Sequence, residues 1–463
     1  MNEINRVPAS FRDPSGFVFQ QDGHLYRQVN EGYTSHYETL MNSGLYASLV
    51  KNKMLVAHQE VAINSPWQEG AYRILEPTVI PWITYPYEWC FSQLKDAALL
   101  TLAIQKLAIQ HGMTLKDASA YNIQFLNGQP ILIDTLSFEI YPEGKPWEAY
   151  RQYCQHFLAP LTLMVYRDVS FNRLLQVYLD GIPLELTDQL LPIKAHLDFG
   201  LFSHLHLHAR AQRKYSGKTA PAPRAGPEFS RLSHQALIEN LEATTQKLAW
   251  KPTGSEWADY YKSTNYSDRS FDSKLAIVKD YLHQIQPEQV LDLGANTGIF
   301  SRVASAMGIP VISTDYDPGA IERNYLEVKQ KKETNLLPLV LDVTNPSPGI
   351  GWNNQERAPF FKRIKADTLM ALALIHHLAI SNNLPLDTMA EFFSQIGHWL
   401  IIEFVPKEDS QVQRLLQSRR DIFPNYCAQS FESAFDRYFV IHAKKEVAES
   451  SRQVYLMENK TWS

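Results

Sequence analysis

The strongest constraint on the fold is a short glycine turn at 290–301. An apolar run, 290–293, carries Asp292 and stops at a loop holding Gly294 and Gly298; an apolar helical pattern begins at Ile299. A strand that turns on glycines into a helix opens an α/β unit, and ligands of such units sit at the carboxyl edge of the strand. A dinucleotide loop reads G-x-G-x-x-G, and its second glycine lets the backbone approach a pyrophosphate. Here Asn296 stands in that place, and its side chain obstructs a pyrophosphate. The loop suits a nucleoside ligand without phosphates.

At 463 residues the chain exceeds one ordinary core, so two domains are expected. The formal charge of −5 gives no general attraction for nucleic acid, and no nucleic-acid partner is expected. Cys90, Cys154 and Cys427 are far apart and odd in number, which fits reduced, buried thiols better than a disulfide frame or zinc knuckle. The first residues lack the basic and apolar regions of a signal peptide, and no apolar run is long enough to cross a bilayer. A cytoplasmic protein with no membrane span is the expectation; oligomeric state is left open.

Residues 209–227 form the clearest break, with five cations among Ser, Thr, Ala, Gly and the prolines Pro221, Pro223 and Pro227. Such a stretch offers no periodic apolar face and reads as a linker. It separates 1–208 from 228–463. The second part begins with helical patterns at 229–250 and 271–282. Candidate strands at 290–293, 311–314, 338–341, 368–374 and 400–404 then alternate with helical stretches near 298–306, 317–331 and 387–398, which predicts a mainly parallel sheet. Strand patterns at 438–442 and 453–457 are joined by a short polar turn, which forces antiparallel pairing.

This outline, with the string VLDLGANTG at 290–298, resembles the class I S-adenosylmethionine-dependent methyltransferases over roughly residues 255–463. The resemblance implies a Rossmann-like seven-stranded sheet closed by an antiparallel hairpin, with S-adenosylmethionine as cofactor. Gly294 and Gly298 would pass the methionine part, with Asn296 between them and Asp292 holding polar groups nearby. Asp315, or Asp317 close by, would accept the ribose hydroxyls, as a two-oxygen acceptor suits. Asp342 would receive the adenine amino group. The plain alternative for each acid is a helix cap or turn residue. His376 or His377 would stand at the rim of the acceptor pocket and deprotonate or orient an acceptor hydroxyl; a histidine packed beneath the cofactor is the alternative. Glu403 would line the same pocket or cap a helix. Tyr266, in the tyrosine-rich stretch 260–266, would close over the cofactor, and 349–357 would either reach a ligand or form a surface turn.

The amino-terminal part carries Asp117, Asn122 and Asp134, with Asp117 and Asn122 spaced as D-x-x-x-x-N and Asp134 after an apolar run. The stretch resembles the catalytic loop of protein-kinase-like phosphotransferases, which implies an α+β kinase-like domain in which these residues hold Mg-ATP. The pattern departs from the family: no glycine-rich phosphate loop and no V-A-I-K lysine are present, the nearest cation on an early strand being Arg27. A hairpin with polar turns is the alternative. His196, His204, His206 and His208 form no H-E-x-x-H arrangement; in a helix only His204 and His208 share a face. They are read as packing residues between the domains, with no metal.

The expected function is methyl transfer to a small-molecule or glycan- or lipid-linked acceptor chosen with help from the kinase-like domain. The whole also resembles methyltransferases among rhizobial nodulation proteins. Two other readings stand: a bifunctional methyltransferase and Mg-ATP-dependent kinase, and a binding module whose nucleoside site is vestigial.

Overall fold

Phe17 and Phe19 turn to one side of a strand and are buried, and a two-residue Asp22-Gly23 turn follows with φ of 51° and 81°. Both turn residues lie in the left-handed region, as a tight hairpin matching strand twist requires. The structure, a computed structural model, describes residues 4–63, 67, 70–210, 229–252, 267–417 and 420–462. Two units divide the chain: Met1–Trp250 with Gly349–Ala358, and Lys251–Pro348 with Pro359–Ser463.

In the first unit, β1 (Ile4–Arg6), β2 (Gly16–Gln21), β3 (His24–Asn30), β4 (His58–Glu60) and β5 (Ala71–Pro77) form an antiparallel sheet in the order β1-β2-β3-β5-β4. Two short helices, Thr34–Asn42 and Leu45–Lys51, lie between β3 and β4 in the chain. A 20-residue helix, Phe91–Gln110, follows. Beyond it, β6 (Met113–Leu115) pairs with β9 (Phe138–Ile140), and β7 (Ile123–Leu126) with β8 (Gln129–Leu132).

The helix Arg231–Lys247 belongs to this unit, not to the second part as the linker position predicts. It packs on Phe91–Gln110, where Lys106 pairs with Glu242 and Lys95 Nζ donates to the carbonyls of Gln246 (2.8 Å) and Leu248 (2.7 Å). The basic, proline-rich stretch therefore lies within one unit's sequence and does not mark its end. Most of it, 211–227, lies outside the described residues.

In the second unit, β10 (Val290–Leu293), β11 (Val311–Asp315), β12 (Leu336–Val340) and β13 (Thr368–Ala371) are buried along their whole length. Continuous burial is what a parallel strand covered on both faces requires. With β14 (Trp399–Phe404), β15 (Phe439–Glu446) and β16 (Gln453–Asn459) they form one seven-stranded sheet in the order β12-β11-β10-β13-β14-β16-β15. β10 to β14 run parallel; β16 is antiparallel to both of its neighbours. Val278 and Leu282 of the helix Asp268–Ile285 meet Val290, Val311, Met370 and Ile401 in the core on one side of the sheet.

Several strands depart from their sequence patterns; β15 and β16 run on to Glu446 and Asn459, four and two residues past theirs. β12 starts at Leu336, two residues early. β13 stops at Ala371, because Ala373 takes φ +52° and the backbone then turns into a wide helical segment, His377–Ser381. Among the described residues no helix is long and apolar enough to cross a membrane. Cys90 and Cys154 are buried as expected; Cys427 is exposed, a correction, and all three are free thiols.

Candidate cofactor site

The strand order reverses beside β10: β11 and β12 lie on one side, β13 and β14 on the other. Connections leave such a point in opposite directions and open a crevice at the carboxyl ends of the strands. A cavity of about 410 Å³ lies there, lined by residues that include Asp292, Gly294, Asn296, Asp315, Asp342 and His377.

The loop after β10 is held rigidly from below. Gly294 and Ala295 donate backbone N–H to the Thr314 carbonyl at 2.9 and 2.8 Å. Asn296 takes φ +53°, which Asn tolerates better than most residues, and its side-chain oxygen accepts from Thr297 N at 2.7 Å. Gly298, at φ +79°, precedes the helix Ile299–Ala306. A Cβ there would lie 2.5 Å from Asn324 Nδ2. Asn324 in turn donates to Ser313 Oγ at 2.9 Å. The two expected glycine roles therefore separate: Gly294 lines the cavity, while Gly298 is required by packing beneath it and is not among the lining residues.

Asp292 is buried and accepts from Ser301 Oγ at 2.6 Å; burial pushes its carboxyl up to about 7. Asp315 ends β11 and accepts from the backbone N–H groups of Asn296 (2.8 Å) and Asp317 (2.9 Å). Burial raises it to about 6, against the pull of those donors. Asp317 caps the next helix through Gly319 N at 2.8 Å and does not line the cavity, which separates it from Asp315. Asp342 accepts from Thr344 N (2.9 Å) and Oγ1 (2.6 Å), both on Oδ1.

His377 lines the cavity, and burial lowers it to about 4, so it is neutral at pH 7. His376 is fully buried, does not line the cavity, and among the described residues neither ring nitrogen has a hydrogen-bond partner. Of the two histidines expected as alternatives at the rim, only His377 lines the cavity. Glu403 is a correction. It is fully buried and does not line the cavity; its carboxylate meets Lys274 Nζ at 2.5 Å and Arg452 Nη1 at 3.7 Å.

Lys274, which the sequence reading missed, reaches the cavity wall from the helix Asp268–Ile285, with Nζ 4.5 Å from the centre of the Phe300 ring. Burial lowers its pKa while Glu403 raises it. Phe271, Phe300, Tyr316 and Asn382 also line the cavity without having been singled out. A buried lysine on an amphipathic helix is the one signal that would have found Lys274. Tyr266 lies outside the described residues.

The segment Gly349–Ala358 belongs to the first unit and does not line this cavity. Glu356 there is buried and accepts from Arg12 Nε at 2.6 Å and from Trp352 N at 3.1 Å, while the Trp352 side chain is exposed.

The chain also gathers Asp117, Asn122 and Asp134 in the first unit. Asp134 meets Arg27 Nη2 at 2.5 Å and accepts from Ser137 Oγ at 2.6 Å and Leu136 N at 3.0 Å. Asn122 donates to Ser137 Oγ at 3.3 Å. Asp117 accepts from Ser119 N (2.9 Å), from Gln152 Nε2 (2.8 Å) and from the Asn122 side chain; burial, and then the charge of Asp134, raise its pKa.

No protein-family model matches the chain. Among solved structures, the bifunctional kinase-methyltransferase WbdD aligns at a TM-score of 0.31 and 15% identity, over 42% of this chain and 40% of that one. The chain thus matches about two fifths of the length of WbdD. Magnesium protoporphyrin IX methyltransferase from Synechocystis PCC 6803, solved with bound SAM, aligns at 0.32 and 13% identity, over 45% of this chain and 92% of that one. The expected seven-stranded sheet closed by an antiparallel hairpin is present in the second unit. The nodulation protein NoeA of Rhizobium meliloti (strain 1021) is 34% identical over 459 residues, 98% of this chain and 96% of NoeA. On that full-length similarity, the chain belongs to the family of the nodulation protein NoeA.

Proposed function

We propose that the second unit is an S-adenosylmethionine-dependent methyltransferase. The observation that carries this reading is the set of three acids, Asp292, Asp315 and Asp342, each at or just after the end of a parallel strand and all facing one cavity. The donor set fits the cofactor. Asp315 keeps acceptor capacity beyond its backbone bonds from Asn296, Tyr316 and Asp317, as ribose hydroxyls require. Asp342, with Oδ2 left beyond its bonds to Thr344, suits an amino donor. Asp292 and Asp315 are held at raised pKa by burial, and a cationic ligand relieves that cost. When bound, the cofactor supplies a methyl group on a sulfonium, already a good leaving group.

The chain's own task is to align the acceptor and exclude water. Leu341, Leu372, Leu374 and Leu378 give the cavity apolar walls. His377 is neutral at pH 7 and fits an acceptor of a hydrogen bond from the substrate; lowered to about 4, it is a weak general base. Ala373 holds positive φ beside it, a strained position of the kind found at functional sites.

The first unit, in this reading, has a kinase-like arrangement and helps select the acceptor. Its support is the assembly of Asp117, Asn122 and Asp134 into one hydrogen-bonded group, with Arg27 of β3 on Asp134. The acceptors to try first are the glycan- or lipid-linked molecules that the sequence resemblance to nodulation methyltransferases implies. Three free cysteines suit a cytoplasmic enzyme. Incubating the protein and methyl-labelled cofactor with cell extract, followed by mass spectrometry, should yield one dominant labelled product; no labelled product in any extract would count against methyl transfer.

The same group supports a second reading, Mg-ATP-dependent phosphotransfer by the first unit. It requires that millimolar ATP with Mg²⁺ raise the unfolding temperature. No shift would remove it and leave the unit as a binding module.

A further inference from the structure

Histidines that share no helical face in the sequence come together elsewhere in the first unit. His204 is already committed: it meets Tyr150 Oη at 2.8 Å and Asn240 Oδ1 at 2.7 Å. His206 instead turns to Asp188, with Nδ1 against Oδ1. His196 Nε2 lies 3.4 Å from the same oxygen, and the two imidazole rings are 4.4 Å apart. One donor atom from each of Asp188, His196 and His206 lies within 4.8 Å of the others.

We propose that Asp188, His196 and His206 form a three-ligand site for a borderline divalent cation, with Zn²⁺ the best match. Two imidazole nitrogens and one carboxylate oxygen are donors that Zn²⁺ accepts, and three protein ligands leave one position for water. Bonds near 2.0–2.2 Å put tetrahedral ligand atoms about 3.3–3.6 Å apart, as the Asp188–His196 spacing of 3.4 Å already is, while His206 Nδ1 would move back from its direct contact with the same oxygen. Mg²⁺ and Ca²⁺ call for oxygen-rich, higher coordination that these residues do not offer. His196 Nε2 is shut off from solvent and, among the described residues, makes no hydrogen bond; the Asp188 carboxylate lies 3.4 Å from it. Side-chain exposure is 8% at Asp188, 13% at His206 and 27% at His196, which leaves a way in on the His196 side.

The ligands come from three short elements: the helix Leu184–Leu190, the turn Ile193–Leu197 and the wide helical segment Phe202–Leu207. Segments this short are marginal alone. A cation bound to all three ties them together and adds stability only in the folded state.

The test uses the full chain without a histidine tag, stripped with EDTA and dialysed. Calorimetric titration with Zn²⁺ should give one site per chain. Zn²⁺ well above its Kd should raise the unfolding temperature by about 3 °C or more. The shift should disappear in His196→Gln and in His206→Gln, and persist in His208→Gln. Should a variant fail to fold, the wild-type protein with Co²⁺ should still show the intense visible absorption of a tetrahedral site. No stoichiometric Zn²⁺ in the wild type, an unchanged shift in His206→Gln, or a Co²⁺ spectrum of the hydrated ion would overturn the proposal.

Discussion

Asp134 of the first unit and Asp292 and Asp315 of the second are treated in opposite ways, while Asp117 of the first unit, also raised by burial, sides with the second pair. In the first, Asp134 faces a protein cation, Arg27, and its other bonds come from Ser137 and Leu136. In the second, Asp292 and Asp315 are buried at a cavity wall, partnered by a hydroxyl or by backbone N–H groups, and burial raises both pKa values. One carboxylate is neutralised from within the chain. The other two keep a charge cost that Ser301, backbone N–H groups and, for Asp292, Lys274 offset only in part. A carboxylate that stabilises its fold and one that waits for a cation are told apart by their partners, not by their place after a strand.

That contrast gives substitutions of opposite sign. The largest effect is expected for Asp134→Ala, which strands Arg27 in a site only 13% exposed. Breaking a shielded pair from one side costs about 3–5 kcal/mol, read as a lowered urea midpoint, while affinity for the methyl donor stays as in wild type. An unchanged midpoint would erase the distinction. Asp292→Asn should act the other way, raising the stability of the ligand-free protein at pH 8 by about 1–3 kcal/mol while weakening cofactor binding. A destabilised Asn variant would mean that Asp292 is structural.

The same acids set a pH dependence. Their folded pKa values, about 7 for Asp292 and about 6 for Asp315, lie above the ordinary 3.8. The folded form therefore holds extra protons between those limits. Their stabilising contribution is fully present below pH 4 and is lost as pH rises through 6 and 7. Affinity for a cationic ligand should rise over that window, because it prefers the ionised acids. Calorimetry from pH 5 to 8 reads this directly, and a flat profile would contradict it. The smallest effect is expected for Asp342→Asn: the amide oxygen still accepts a hydrogen bond, and loss of charge should weaken binding only threefold to tenfold, about 1 kcal/mol.

Much of the second unit was legible because its signals are local. A buried parallel strand is a run of apolar residues, and β10 falls where the run predicts. Asp315 and Asp317 could not be separated in sequence, since either suits the end of a strand; the cap on Gly319 decides it. Glu403 is not legible as a buried ion-pair acid because its partner Lys274 lies 129 residues away. His376 and His377 are adjacent in sequence, yet only His377 reaches the cavity. The unit boundary was hidden because the Arg231–Lys247 helix declares its partner only through packing on Phe91–Gln110.

The most direct test of the central claim is calorimetric titration of S-adenosylmethionine into the wild-type protein and Asp315→Ala at pH 8. One site is expected in wild type, with binding at least about 30-fold weaker in the variant, the loss of charge-assisted hydrogen bonds to a buried carboxylate. No binding to the wild-type chain, or equal affinity in the two proteins, would contradict the account.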